Sequence, residues 1–155
     1  MLHEKGLYPS GKPVVTAGKG FRLIEHTADM GIEARAGSCR ELLEAMARGL
    51  TALIFGDSPV GATVSSKIEV HAEDRVELLV AWLNEVVYWC ETNNLVPATF
   101  RIEAAADDEL LATISGEPFD AERHSLEHQV KSVTYHQACL EETADGWYGR
   151  VYVDL

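Results

Sequence analysis

The chain has 155 residues, of which 46% are hydrophobic and 25% charged, and its 13 basic and 25 acidic side chains give a formal charge of 13 − 25 = −12. This size and apolar content predict one soluble globular domain and exclude a wholly disordered protein. No apolar run approaches the roughly 18 residues that a membrane span needs, and no secretory signal is present. We therefore expect a cytoplasmic protein with no membrane partner.

The charge is distributed unevenly along the chain. Residues 1–22 contain three Lys and one Arg against the single acid Glu4, a net of +3, which leaves −12 − 3 = −15 for residues 23–155. A domain of that charge repels a phosphate backbone, so we expect no direct binding of nucleic acid. A basic protein partner or a cation fits the charge, and solubility alone is an equally good explanation.

The three cysteines, Cys39, Cys90 and Cys139, include no C-x-x-C pair. An odd number without that spacing argues against a disulfide framework or a structural zinc ribbon and fits a reducing cytoplasm. Each lies inside a segment that resembles a helix or a strand, which favours ordinary packing over a reactive thiol.

The first elements in the chain are an arm and two short strands. Glycine and proline interrupt residues 1–20 and no hydrophobic period is sustained, which predicts a disordered N-terminal arm outside a single domain of residues 21–155. Alternating residues then predict strands over 21–25 and 31–36. The polar junction between them, 26–30, is a place where a scaffold displays functional groups.

Two helices and a strand follow. Ser38 and Glu41 have the spacing of a capping box, which predicts a helix over about 39–55 with one apolar stripe. Alternation predicts a strand over 64–72. Asp74 then opens a second helix that ends at Asn93–Asn94, and its apolar residues cover more than one stripe, which predicts a central helix covered on several sides.

Beyond Pro97 the pattern is typical of strands. The candidates are 100–104, 110–115, 129–140 and 147–154, separated by turn signals. The order is β-β-α-β-α-β-β-β-β, which predicts an α+β fold: a mixed β-sheet with two main helices packed against it.

The usual enzyme motifs are absent: there is no Gly-rich phosphate loop, no G-x-S-x-G and no H-E-x-x-H. His124 and His128 are spaced like a helical metal pair, but their polar flanks favour two exposed loop histidines. Lys131 lies early in a predicted strand. Whichever of the two alternating sets of residues faces the core, an ionisable side chain points inward or lies at the rim of a cleft.

Asp154 gives a sharper signal, because it follows a strong strand and precedes the terminal Leu155. If this strand end lies beside the 26–30 junction, Asp29, Asp154 and the α-carboxylate share one small volume. Such anions raise one another's pKa unless a cation neutralises them, and all-oxygen ligation favours Ca²⁺ or Mg²⁺ over zinc. The alternative is a solvated strand end.

Several segments together resemble the archease family. The resemblance covers about Phe21 to Leu155, preserves order and spacing, and does not include the arm. Its motifs are HTAD at 26–29 with GIE at 31–33, SCRELL at 38–43, LLVAWLNE at 78–85, Gly116–Glu117, His124, KSVTYH at 131–136 and VDL at 153–155.

The resemblance implies an archease-like fold and an accessory protein that is not itself an enzyme. Its partner would be the RtcB-type RNA ligase of tRNA splicing, whose guanylylation and multiple turnover it would promote as a chaperone-like cofactor. It also implies a divalent-metal site, with calcium as the ion and Mg²⁺ or Mn²⁺ as alternatives. The ligands would fall on Asp29, Asp154 and Leu155.

Three further residues would form a ligase-activation patch around that site. The resemblance places Lys131 in the same functional region, and we predict His26 and His136 as its other members. The rival hypothesis is a small metal-dependent phosphoester hydrolase in which Asp29 and Asp154 hold the cation and His136 or His26 is the base. A general folding chaperone ranks last, since core packing explains the apolar faces.

Overall fold

The computed structural model describes residues 12–13, 20–26 and 29–155, and within them eight strands and two helices follow one another in a single α+β arrangement. In chain order they are β1 (Lys12–Pro13), β2 (Phe21–His26), β3 (Asp29–Ala36), α1 (Cys39–Phe55), β4 (Val64–His71), α2 (Arg75–Asn93), β5 (Leu95–Ala105), β6 (Glu109–Pro118), β7 (Ser132–Thr143) and β8 (Gly146–Asp154). The predicted fold class and the predicted pair of main helices are confirmed.

Both helices begin where their capping residues predict. The Ser38 hydroxyl accepts a hydrogen bond from the Glu41 amide at 3.2 Å, and an Asp74 carboxylate oxygen accepts one from the Glu77 amide at 2.9 Å. Each bond satisfies one of the first amides of a helix, which have no intrahelical partner. α2 ends at Asn94 in the left-handed conformation, with a φ of 54°.

The strands form two antiparallel sheets, which corrects the predicted mixed sheet. One has the order β1-β2-β3-β8-β7 and the other β4-β6-β5. Hairpins join β2 to β3, β5 to β6 and β7 to β8, and such short connections allow only antiparallel pairing. The crossover from β4 through α2 to β5 does run between two parallel strands, but β6 lies between them and is antiparallel to both.

The core lies between the helices and the two sheets. Both helices pack against strands of both sheets. Trp82 of α2 is fully buried, donates from its indole nitrogen to the Leu43 carbonyl of α1 at 3.0 Å, and meets Phe100 edge-on with ring centroids 6.1 Å apart. The prediction that the second helix is central is confirmed.

Strand β5 begins at Leu95, well before the predicted 100. Proline is tolerated there because β5 is an edge strand and its register shifts between Pro97 and Thr99. Gly116 of β6 lies opposite Pro97, and a Cβ at that glycine would overlap the Val96 carbonyl oxygen.

Strand β7 carries a large irregularity. Thr134 pairs with Tyr152 and Cys139 with Arg150, so four residues of β7, 135–138, lie opposite the single residue Val151. Gln137 in this bulge has a φ of +58°, and its carbonyl accepts two hydrogen bonds from the Arg150 guanidinium, at 2.8 and 2.5 Å. The side chains of residues 135–137 are exposed, whereas Ala138 is half-buried against the core.

The predicted arm lies mostly outside the described residues. Within it, Lys12 and Pro13 form β1, opposite Glu25 and Ile24 at the edge of the five-stranded sheet. No helix among the described residues is long and apolar enough to span a membrane.

Candidate functional site at the end of three strands

Three neighbouring strands bring the predicted site residues to one corner of the larger sheet. Met30 of β3 pairs with Val153 of β8, so Asp29 and Asp154, each the next residue outward, lie at the same end of the two strands. On the other side of β8, Ser132 pairs with Asp154. The antiparallel order thus places the start of β3, the end of β8 and the start of β7 side by side.

Lys131 is tied directly to this corner. Its amide donates a hydrogen bond of 2.8 Å to the Asp154 carbonyl. The side chains of Lys131 and Asp154 are exposed, and Leu155 retains 45% of its accessible surface. The Lys131 side chain, just before β7, and the Asp154 carboxylate at the end of β8 are therefore both displayed to solvent.

The surface position of Lys131 corrects part of its predicted setting. Both Val130 and Val133 are buried, at 2% and 3% exposure, so neither predicted parity holds along this segment. The reason is that β7 begins only at Ser132, after residues without regular structure, and alternation does not extend back to Val130.

The two histidines of the predicted patch lie at different distances from this corner along the sheet. His26 pairs with Asp29 across the β2–β3 connection. His136 is exposed in the β7 bulge, beyond the pair of Thr134 with Tyr152. The fold therefore brings His26, Asp29, Asp154 and Lys131 to one end of the sheet and sets His136 farther along the same edge strand.

The described carboxylates at this corner, those of Asp154 and Leu155, offer oxygen ligands. Carboxylates suit Ca²⁺, Mg²⁺ or Mn²⁺, and the Lys131 side chain is not counted among the ligands. Among the side chains that the structure describes, no group of three or more His, Cys, Asp and Glu is gathered as a metal site. Asp29 enters this comparison by its strand position alone.

A second polar cluster surrounds His124, and the prediction of two exposed loop histidines is wrong. His124 is 4% exposed, its Nε2 lies 2.9 Å from a Glu117 carboxylate oxygen, and its Nδ1 accepts from the Asp120 amide at 2.9 Å. His128 is half-buried, and its Nδ1 donates to the Leu53 carbonyl at 2.9 Å. Both histidines hold chain segments together.

Glu117 is the centre of this cluster. The Arg123 guanidinium donates to both of its oxygens, at 3.0 and 2.8 Å, and the Gly61 amide donates at 2.9 Å. These donors, Arg123 first and the Gly61 amide second, lower the pKa of Glu117 to about 2. The cluster joins the 56–63 loop to the segment leading to Lys131, and no sequence pattern predicted it.

The three cysteines are free and play the packing role predicted for them. Cys90 is buried, which raises the pKa of its thiol to about 12. Burial likewise raises the pKa of Cys39 and of Cys139, although Arg75 and Arg150, respectively, act in the opposite direction. Raised values disfavour the reactive thiolate.

The family follows from comparison with known sequences. A family model described as the Archease protein family matches residues 21–155. The chain belongs to the archease family. Protein archease of Methanosarcina acetivorans is 34% identical over 142 residues, covering 89% of this chain and 97% of the relative. Protein archease of Pyrococcus furiosus is 33% identical over 135 residues, covering 84% and 95%.

Solved structures of the archease family share the fold. The solution structure of a Methanobacterium thermoautotrophicum protein is 30% identical, with a TM-score of 0.74 over 88% of this chain and 99% of that one. A crystal structure from Thermotoga maritima, described as an archease and possible chaperone, is 21% identical, with a TM-score of 0.59 over 85% and 94%. The second likeness concerns the fold alone.

Proposed function

We propose that this archease-family chain is an accessory protein, not an enzyme, that promotes guanylylation and multiple turnover of an RtcB-type RNA ligase in tRNA splicing. The observation that carries the proposal is the meeting of Asp29, Asp154 and Lys131 at one end of three adjacent strands. The family resemblance implies that Asp29 and Asp154 bind a metal ion and that Lys131 belongs to the same functional region. The antiparallel register is compatible with these roles, because it puts the backbones of all three residues at one end of the sheet.

The metal site of the proposal uses the side chains of Asp29 and Asp154 and the carboxylate of Leu155. A bound Ca²⁺, or Mg²⁺ or Mn²⁺ in its place, would supply a fixed positive charge at this corner. The carboxylates would hold the ion, and without it their negative charges would repel one another. Lys131, just before the neighbouring strand β7, adds a separate positive charge.

Exposure suits this corner to contact with a protein partner. Lys131, Asp154 and His136 all reach solvent. Lys131 and His136, together with His26, form the proposed ligase-activation patch beside the proposed metal ligands Asp29, Asp154 and Leu155. An ammonium at its edge is able to pair with a phosphate group of a nucleotide held by the ligase.

The charge of the domain determines how it would serve an RNA-processing enzyme. With −15 on residues 23–155, direct contact with RNA is opposed by repulsion. The domain would therefore act on the ligase itself, while the ligase holds the RNA.

Guanylylation of the cognate ligase tests the proposal. We expect Asp29→Ala, Asp154→Ala and Lys131→Ala each to reduce the stimulation of ligase–GMP formation by about tenfold or more, as losses of coordinating or charge-pairing groups commonly do. Asp145→Ala is the matched control, because Asp145 is an exposed acid in the β7–β8 turn, at the opposite end of the same two strands. Full stimulation by Asp29→Ala, Asp154→Ala and Lys131→Ala alike would overturn the proposal.

A further inference from the structure

Asn84 is a polar residue beside the buried face of α2. Its neighbours Leu83 and Val86 are fully buried, and Asn84 itself is half-buried. Asparagine is a weaker helix former than leucine or alanine, because its side chain competes for backbone hydrogen bonds. Its polar groups need partners at this depth, and both partners belong to β7.

The Asn84 carboxamide makes two hydrogen bonds to a single residue of that strand. Its Oδ1 accepts from the Val133 amide at 2.9 Å, and its Nδ2 donates to the Val133 carbonyl at 3.0 Å. β7 is the outer strand of the five-stranded sheet. The side chain therefore takes the place of a missing neighbouring strand and satisfies both outward polar groups of Val133.

The start of β7 is thus held from two sides. On the inner side, the Lys131 amide donates to the Asp154 carbonyl at 2.8 Å and Ser132 pairs with Asp154. On the outer side, Asn84 holds Val133, two residues farther along. The segment before Ser132 has neither helix nor strand, and the bulge at 135–138 interrupts the pairing with β8 after Thr134. Between these two points, residues 132–134 pair with β8 on the inner side only, where the Thr134 hydroxyl also donates to the Tyr152 carbonyl at 3.3 Å.

We propose that Asn84 is a positioning residue that transmits the rigid placement of α2 to Lys131. The inference rests on the proposed function, in which the ligase-activation patch requires Lys131 to lie beside Asp154. α2 is packed on several sides and provides a fixed reference. Without the two hydrogen bonds, the start of β7 loses its outer support, and Lys131 no longer keeps one position relative to Asp154.

The test compares Asn84→Ala with two controls on the same helix. In Asn93→Ala the lost hydrogen bond, from Asn93 Nδ2 to the Trp89 carbonyl at 3.3 Å, lies within α2 itself. Val86→Ala truncates a fully buried side chain and destabilises the core without removing a hydrogen bond to β7. Three quantities are measured on the full chain: amide hydrogen exchange at Val133 and Lys131, the thermal midpoint, and stimulation of ligase guanylylation.

We expect Asn84→Ala to speed amide exchange at Val133 by about tenfold or more, and at Lys131 in the same direction, while amides in the middle of α1 stay protected. Stimulation of the ligase should fall about tenfold, and Val86→Ala should keep most of it despite an equal or larger loss of thermal stability. Asn93→Ala should resemble the wild-type chain in all three measurements.

Two results would overturn the inference. One is unchanged exchange at Val133 and Lys131 in Asn84→Ala. The other is a loss of stimulation that follows the thermal midpoint equally in Asn84→Ala and Val86→Ala, which would make Asn84 a structural residue only. If the wild-type chain does not stimulate the ligase, the proposed function fails, and the exchange measurement still decides whether Asn84 positions the strand.

Discussion

The amide of Lys131 donates a 2.8 Å hydrogen bond to the carbonyl of Asp154, which joins a lysine before one strand to an acid at the end of the next. Two residues that are 23 positions apart in the chain thereby become neighbours. Because Asp29 lies at the same end of the adjoining strand, a cation held at this corner would be next to a second, separate positive charge.

Extension of the C-terminus should weaken metal binding. A few added residues convert the Leu155 carboxylate into an uncharged peptide group, so one of the proposed anionic ligands is lost. Calorimetric titration with Ca²⁺ should give about tenfold weaker affinity for this variant, whereas an N-terminal tag of equal length should leave the affinity unchanged. Equal affinities for both variants would remove Leu155 from the ligand set.

Glu117 should make stability depend on acidity. Its pKa is lowered to about 2 in the folded chain, from an ordinary value of 4.5, because Arg123 and the Gly61 amide stabilise the carboxylate. The folded state then gains stability from Glu117 above about pH 4.5 and loses it as the pH falls toward 2. Glu117→Gln should lower the thermal midpoint at pH 7 and flatten its fall below pH 4.5.

The control for Glu117 is Glu122→Gln, which removes an exposed acid from the same segment. Its thermal midpoint at pH 7 should stay close to that of the unaltered chain. A midpoint for Glu117→Gln that equals the control at pH 7 would contradict the role assigned to the cluster around His124.

Gly116→Ala should be strongly destabilising, although it adds only one methyl group. The added Cβ would overlap the Val96 carbonyl oxygen, which belongs to the backbone of the paired strand and is unable to rotate away. We expect a loss of about 1–3 kcal/mol in denaturant unfolding. At Gly37 the Cβ would lie 3.3 Å from a flexible Glu41 carboxylate oxygen, so Gly37→Ala should cost little, and similar losses in the two variants would refute this explanation.

The two buried tryptophans of α2 should differ in what their indole nitrogens contribute. Trp82 donates to the Leu43 carbonyl at 3.0 Å, whereas the buried Trp89 nitrogen has no hydrogen-bond partner among the described residues. Replacement by phenylalanine removes volume in both cases but a hydrogen bond only at Trp82. Urea unfolding should show Trp82→Phe to be less stable than Trp89→Phe by about 1 kcal/mol; the reverse order would be inconsistent with that bond's contribution.

Local signals were sufficient for the helices. The hydroxyl of Ser38 and the carboxylate of Asp74 each bind an amide three residues later, so the start of a helix is decided within one turn of the chain. The succession of strands along the chain was predictable for the same reason, since the alternation of apolar and polar residues is also a local pattern. The division into two sheets depends on which distant strands pair, and no short pattern encodes that choice.

The candidate site was predictable in part. Asp29 and Asp154 attract attention because acids at strand ends have no structural need to be there. The burial of His124 was not predictable, since it requires Glu117 from the end of β6 and the turn that includes Arg123. The support of Val133 by Asn84 was also hidden, because it joins a helix to a strand 49 residues away.

Calcium titration of the purified chain measures directly whether Asp29 and Asp154 form a cation site at the meeting of three strands. The site predicts saturable binding of one Ca²⁺, an affinity lowered about tenfold or more in Asp29→Ala and in Asp154→Ala, and unchanged affinity in the Asp145→Ala control. Binding that is equally strong in all four proteins, or no binding by the unaltered chain, would contradict it.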